Sequence, residues 1–177
     1  MTNYVFIATS IDGYIVGKDG DLSWLNEMPN PSKSDFGFTE FLNGIDALVM
    51  GRNTFEAVVS FGVWHYDKPV FVLSNNLDRV PEGFEDKAEI VKGDLKTVLD
   101  KLEKRGMTNL YVDGGRVISS FLKEDLIDEM IISRIPILLG EGIPLFDELG
   151  TKMKFKLIKT DSYDETLVKC HYVRVRE

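Results

Sequence analysis

Three short stretches combine residue types that can hold phosphate. In ALVMGRNTFEAVV a buried run breaks at Gly51, and Arg52, Asn53 and Thr54 lead into a helical pattern. In NLYVDGGRVISSFL the same change of period occurs at Gly114 and Gly115, followed by Arg116 and Val117. A strand that turns into a helix through glycine leaves backbone N–H groups free at the helix N-terminus, where the dipole favours an anion. Gly51, Gly114 and Gly115 would let a pyrophosphate approach the backbone closely, Arg52 could pair with a phosphate oxygen, and Thr54 could add a hydroxyl. The third stretch, PVFVLSNN, ends in Ser74 and Asn75, small polar groups suited to a ribose or a ribose phosphate. Glycine at such turns also occurs for backbone reasons alone. Neither G-x-G-x-x-G nor G-x-x-x-x-G-K-[ST] is present, so spacing supports a nucleotide site without a Rossmann fingerprint or a P-loop.

These turns need strands and helices to aim them. Apolar runs predict strands over YVFIATS (4–10), DALVM (46–50), PVFVLS (69–74), AEIVKG (88–93) and NLYVDGG (109–115). Helices are predicted over 53–61, over 94–106 with Asp94 as cap and Gly106 as stop, and over 116–126. Ser34 could cap a further helix over DFGFTEFLNG, ended by Gly44. The glycine-rich 11–25 segment reads as a long loop. From residue 128 onward the pattern is strand only: a region over 128–140, with Pro136 at a bulge or edge, and a hairpin over 154–177 turning near 162–165. Alternation followed by strands implies a three-layer α/β/α arrangement, a mostly parallel sheet with a C-terminal antiparallel hairpin. Ligands of such sheets sit at the carboxyl ends of the strands.

Composition narrows the function classes. A chain of 177 residues is expected to form one domain. The net charge of −8 and the lack of a basic run argue against nucleic acid, and KLEKRG (101–106) reads as an exposed helix end. No apolar run is long enough for a membrane span, and MTNYVFIATS has no basic n-region, so neither a membrane nor a signal peptide is expected. The single cysteine, Cys170, fits a reducing cytoplasm. With two histidines, His65 and His171, far apart in sequence, no metal site is expected.

Taken together, VMGRNTFE, VLSNN, YVDGGRVISSFL and IVGKDGDLSWL resemble the dihydrofolate reductase superfamily, in order and over nearly the whole chain. The segments ATSIDGYI and IPILLGEGIPLF (135–146) are similar to one branch, the reductase half of the bacterial riboflavin-pathway deaminase–reductase. The deaminase half is absent, with no H-x-E and no P-C-x-x-C. The resemblance implies a stand-alone reductase domain that uses NADPH, often as a homodimer, on a small heteroaromatic substrate. It places Gly51, Arg52, Asn53 and Thr54 in a phosphate-binding turn, Leu73, Ser74 and Asn75 at the adenosine ribose phosphate, and Gly114, Gly115, Arg116 and Val117 in a pyrophosphate turn. Ala8, Ile15 and Gly17 would wall the nicotinamide, and Trp24 would end the mobile loop that closes over it.

On the substrate side, Asp35 falls where dihydrofolate reductases keep their acidic substrate contact, which would make it catalytic; it also fits a helix first-turn residue. The riboflavin-pathway reductases carry a basic helix here, whereas this sequence has no Lys or Arg between Lys33 and Arg52. A neutral heteroaromatic ring stacked on Phe38 and Trp24 fits these residues better than a phosphorylated one. The expected chemistry is hydride transfer to a C=N-type acceptor, with dihydrofolate reductase proper and a non-catalytic nucleotide-binding module as the alternatives.

Overall fold

A computed structural model describes residues 1–163 and 166–176. Among these residues the strands are β1 (Thr2–Thr9), β2 (Tyr14–Gly17), β3 (Ala47–Gly51), β4 (Val70–Leu73), β5 (Ala88–Val91), β6 (Asn109–Asp113), β7 (Glu129–Arg134), β8 (Gly142–Pro144), β9 (Lys154–Tyr163) and β10 (Leu167–Val175). The helices are α1 (Phe38–Asn43), α2 (Arg52–Ser60), α3 (Leu95–Lys104) and α4 (Gly115–Lys123). Two 3₁₀ turns, at Lys18–Gly20 and Ser23–Leu25, follow β2.

The main sheet runs β5-β4-β3-β6-β1-β7-β10-β9. It is parallel from β5 through β7, and β10 and β9 then add antiparallel. Its middle strands are apolar on both sides, as sheets covered on both faces must be. Val49, Leu110 and Val112 pack with α3 and α4, while Leu48, Met50 and Tyr111 pack with α1 and α2. The predicted three-layer architecture is therefore the observed one, with helix bounds within a few residues of expectation. Asp94 caps α3, its Oδ1 accepting from the Thr97 N–H at 2.8 Å.

Several expectations change. The 11–25 segment is not all loop, because β2 pairs antiparallel with β8 in a small second sheet. That pairing needs Gly142, whose φ is +147° and whose Cβ, if present, would lie 2.1 Å from the Val16 carbonyl oxygen. Ser34 does not cap α1; its Oγ accepts from the Phe36 N–H, and Gly37 stands at the cap position. The strand expected over 128–140 stops at Arg134, before Pro136. β7 has β1 on one side and β10 on the other, so it offers no free edge to another chain. The turn expected near 162–165 falls partly on 164 and 165, outside the described residues.

Candidate functional site

The carboxyl ends of β4, β3 and β6 lie side by side, which brings the three phosphate-type stretches together. Gly51 is in register with Leu73, and Met50 with Asp113. The turn after β3 and the turn after β6 interlock. Gly114 has φ +93°, and a Cβ there would lie 2.2 Å from Thr54 Oγ1. A Cβ on Gly51 would lie 3.1 Å from Val117 Cγ2. These glycines are needed because two helix N-termini, those of α2 and α4, converge on one place. Asn53 and Arg116 stand exposed beside this meeting point. Among the described residues no carboxylate pairs with Arg116.

Register carries the row further. Leu73 is opposite Val91, so Arg52, Ser74 and Lys92 are the next residues on three neighbouring strand ends. Ser74 Oγ accepts from the Leu77 N–H at 3.0 Å, which shapes the loop holding Asn75. Arg52 Nε pairs with Glu56 at 3.0 Å, and Lys92 Nζ with Asp78 at 3.1 Å.

The other wall comes from β2 and β8. Buried Ile15 reaches to 3.0 Å from where a Gly115 Cβ would sit, and the Pro144 carbonyl to 3.3 Å. Gly17 is buried and donates its N–H to the Asp21 carbonyl at 2.8 Å. Asp12 ties this wall down. Its carboxylate accepts from Ser10 Oγ at 2.6 Å, Leu139 N–H at 3.2 Å and Gly140 N–H at 2.8 Å, and these bonds hold it below the usual carboxylate range. The two branch-marking segments, ATSIDGYI and IPILLGEGIPLF, are thus bonded to each other. The first part of the 11–25 segment is a braced wall, and the residues after β2 form two 3₁₀ turns that bury Trp24.

On the α1 face the expected residues separate. Asp35 is exposed, and its carboxylate accepts from the Gly37 and Thr39 N–H groups, both at 2.9 Å. Thr39 and these backbone donors lower its pKa to about 2. Asp35 therefore serves the helix start, and at neutral pH it has no proton to give. Trp24 is buried with Ile135 and Leu167, alongside half-buried Ala8 and Phe36. Phe38 packs instead with Phe6, at 5.4 Å between ring centroids, and with Tyr111 at 6.1 Å. The two rings lie in separate apolar clusters and form no joint stacking platform. Trp24 Nε1 is buried without a hydrogen-bond partner.

A cation reaches this region from β10, but it is already engaged there by backbone and side-chain acceptors. Lys169 Nζ donates to the Phe36 carbonyl at 2.7 Å and to Tyr163 Oη at 2.8 Å. It thereby pins a connection in which Lys33, Phe36 and Gly37 all have positive φ.

Asp113 is the residue that sequence reading passed over. It ends β6 on the same face as Tyr111, directly before the glycine pair. Burial pushes its carboxyl up to about 6, although the Gly114 N–H and the Tyr111 hydroxyl pull the other way. Tyr111 Oη already donates to the Phe6 carbonyl at 2.9 Å. Tyr66, from the loop after α2, is raised by burial and then by the Asp113 charge. A carboxyl raised to about 6, at a strand end beside two converging helix N-termini, holds its proton in mildly acidic solution and is a candidate proton donor. The signal in the sequence was an acidic residue at the carboxyl end of a buried strand. Among the described residues no group of three or more His, Cys, Asp or Glu could hold a metal.

This arrangement is a dihydrofolate-reductase-like fold. The Enterococcus faecalis dihydrofolate reductase, solved in complex with NADP(H), superposes with a TM-score of 0.69 at 21% identity, covering 98% of this chain and 96% of that one. More particularly, the RibD C-terminal domain model matches residues 3–169, and the chain belongs to that family. A Shewanella sp. PV-4 protein assigned to riboflavin biosynthesis superposes with a TM-score of 0.97 at 52% identity, covering 99% of this chain and 100% of that one. The Thermotoga maritima deaminase/5-amino-6-(5-phosphoribosylamino)uracil reductase superposes with a TM-score of 0.76 at 18% identity. There the match covers 98% of this chain and 56% of the longer relative.

Proposed function

We propose that the protein is a reductase that uses NADPH to reduce a C=N-type bond in a small pteridine- or pyrimidine-like molecule, and that it works as a homodimer. Its residues fit a nicotinamide dinucleotide. Gly51 and Gly114 let the two turns pack closely against Val117 and Thr54, so the α2 and α4 N-termini meet there, and Arg52, Ser74 and Arg116 line the approach. When bound, the reduced nicotinamide supplies a hydride equivalent. Ala8, Ile15, Gly17 and the braced 10–17 wall would hold the ring and keep water away.

The observation that carries the reading is Asp113 beside the interlocked turns. Reduction of C=N to CH–NH adds a hydride to carbon and a proton to nitrogen. Asp113, protonated below about 6, would give that proton and regain one from solvent. This position also speaks for an enzyme over a non-catalytic binding module, which has no use for a protonated carboxyl there. Asp35, held ionised by the α1 backbone, speaks against dihydrofolate reductase proper.

The test is calorimetric titration with NADPH and NADH, followed by a substrate screen read by nicotinamide absorbance. Binding, with oxidation of the nucleotide by a pyrimidine or pteridine imine, is the expected result. Binding of neither nucleotide removes the reading.

A further inference from the structure

The end of the sheet opposite the candidate site holds a second recess. Asn3 stands at the amino end of β1, which runs parallel to β7, and Asp128 directly precedes β7. A cavity of about 540 Å³ opens there, between these strand starts, α3 and the end of α4. Asn3 lines it and is only 4% exposed. Its backbone N–H donates to Asp128 Oδ2 at 2.8 Å, and its Nδ2 donates to the Leu126 carbonyl at 2.7 Å. A carbonyl accepts only from a donor, so that bond fixes which end of the Asn3 amide is nitrogen. The other end, Oδ1, is buried and has no hydrogen-bond partner among the described residues. A buried acceptor without a donor is costly, so an N–H group arriving at that point is stabilised.

The charges around this acceptor divide into paired and unpaired. Arg174 Nε is 2.7 Å from Asp125, and Arg176 Nη1 is 2.6 Å from Asp128. Glu103 faces the Met1 amino group at 3.8 Å. Asp100 and Glu124 line the same cavity and have no hydrogen-bond or ion-pair partner among the described residues. Lys96 is the cation of the wall that is likewise unpaired, so the two carboxylates outweigh it. The carbonyl end of α4 also lies here, and helix C-termini favour positive charge. Among the described residues no three His, Cys, Asp or Glu groups are placed to hold a metal, which directs the site to an organic cation.

We propose that this recess binds a short linear diamine, with one ammonium N–H donating to Asn3 Oδ1 and the charges held by Asp100 and Glu124. Charge alone would hold any cation at the rim. The buried acceptor selects one that carries N–H donors. The recess lies away from the turns after β3 and β6, so the inference stands apart from the dinucleotide reading.

The experiment is calorimetric titration of the full chain with putrescine, with tetramethylammonium and butanediol as comparisons. Tetramethylammonium carries charge without an N–H donor, and butanediol carries donors without charge. Putrescine should bind at least about tenfold more tightly than either. Asp100→Asn and Glu124→Gln should each weaken it roughly threefold to tenfold. Glu89→Gln, which breaks the exposed pair with Arg105 on the distant edge of the sheet, should leave it unchanged. In a proton–nitrogen correlation spectrum the Asn3 side-chain amide should shift in step with the heat. No putrescine binding at millimolar concentration overturns the inference, as does equal binding of the three probes. So does putrescine affinity that is unchanged in the Asp100 and Glu124 variants, or equally weakened in the Glu89 variant. Binding that leaves the Asn3 amide unmoved places the diamine elsewhere and overturns it too.

Discussion

The two sides of the site are built differently. On the side proposed for the nucleotide, every implicated residue lies within a turn or two of a strand end, and β4, β3 and β6 are adjacent and parallel. On the substrate side, the relevant groups come from α1, β6, the loop after α2 and the antiparallel β10. A parallel sheet places its strand ends in a row, so local motifs become a common surface. The substrate face has no such rule, and there a carboxylate with a promising position can be taken by a helix start, as Asp35 is. The lesson is that a local motif survives folding only where the topology itself aligns it.

Three substitutions can break or sharpen this contrast. The largest effect is expected from Asp113→Asn. Loss of a general acid should lower turnover about 10²–10⁴-fold with nucleotide affinity unchanged. In the wild type, kcat/KM should fall as pH rises through about 6, where Asp113 loses its proton. The stability effect runs the opposite way. A carboxyl raised from 3.8 to about 6 releases its proton more readily in the unfolded chain, so it costs stability as pH climbs through that window. The Asn variant should therefore melt higher than wild type at pH 7.5, and the advantage should vanish below pH 4. A variant with full turnover would remove Asp113 from the chemistry.

Gly114→Ala comes next. Its φ of +93° and the 2.2 Å approach to Thr54 Oγ1 leave no room for a methyl group. A loss of about 1–3 kcal/mol in a urea melt is expected, together with lost nucleotide binding. Ordinary binding by a folded Ala variant would mean that the interlocked turns are structural only.

The smallest effect belongs to Asp35→Ala. Losing the two backbone hydrogen bonds should cost about 1 kcal/mol of stability, with turnover close to wild type. A carboxylate lowered to about 2 contributes stability that is present above its ordinary 3.8 and is lost as pH falls toward 2. The gap between the two proteins should accordingly close in acid melts. A large drop in turnover would return Asp35 to the substrate.

Much of this molecule is legible along the chain. The change from one apolar period to another at Gly51 and at Gly114–Gly115 marks strand, turn and helix, because burial of one face imposes those periods. Asp94 and Gly106 mark the ends of α3 for equally local reasons. From such signals alone follow the three layers, the parallel core, the hairpin and the two glycine turns at helix N-termini. Folding decided what depends on partners distant in sequence. Asp12 joined Leu139 and Gly140, turning a supposed loop into a braced wall. Lys169 reached the Phe36 carbonyl before α1 while staying bonded to Tyr163. Val112 and Tyr111 carried Asp113 to a half-buried strand end, where desolvation, absent from any linear pattern, raised its pKa. Register set Arg52, Ser74 and Lys92 in one row. Periodicity and caps are properties of neighbouring residues, whereas desolvation, register and charge pairing arise only between segments that the fold brings into contact.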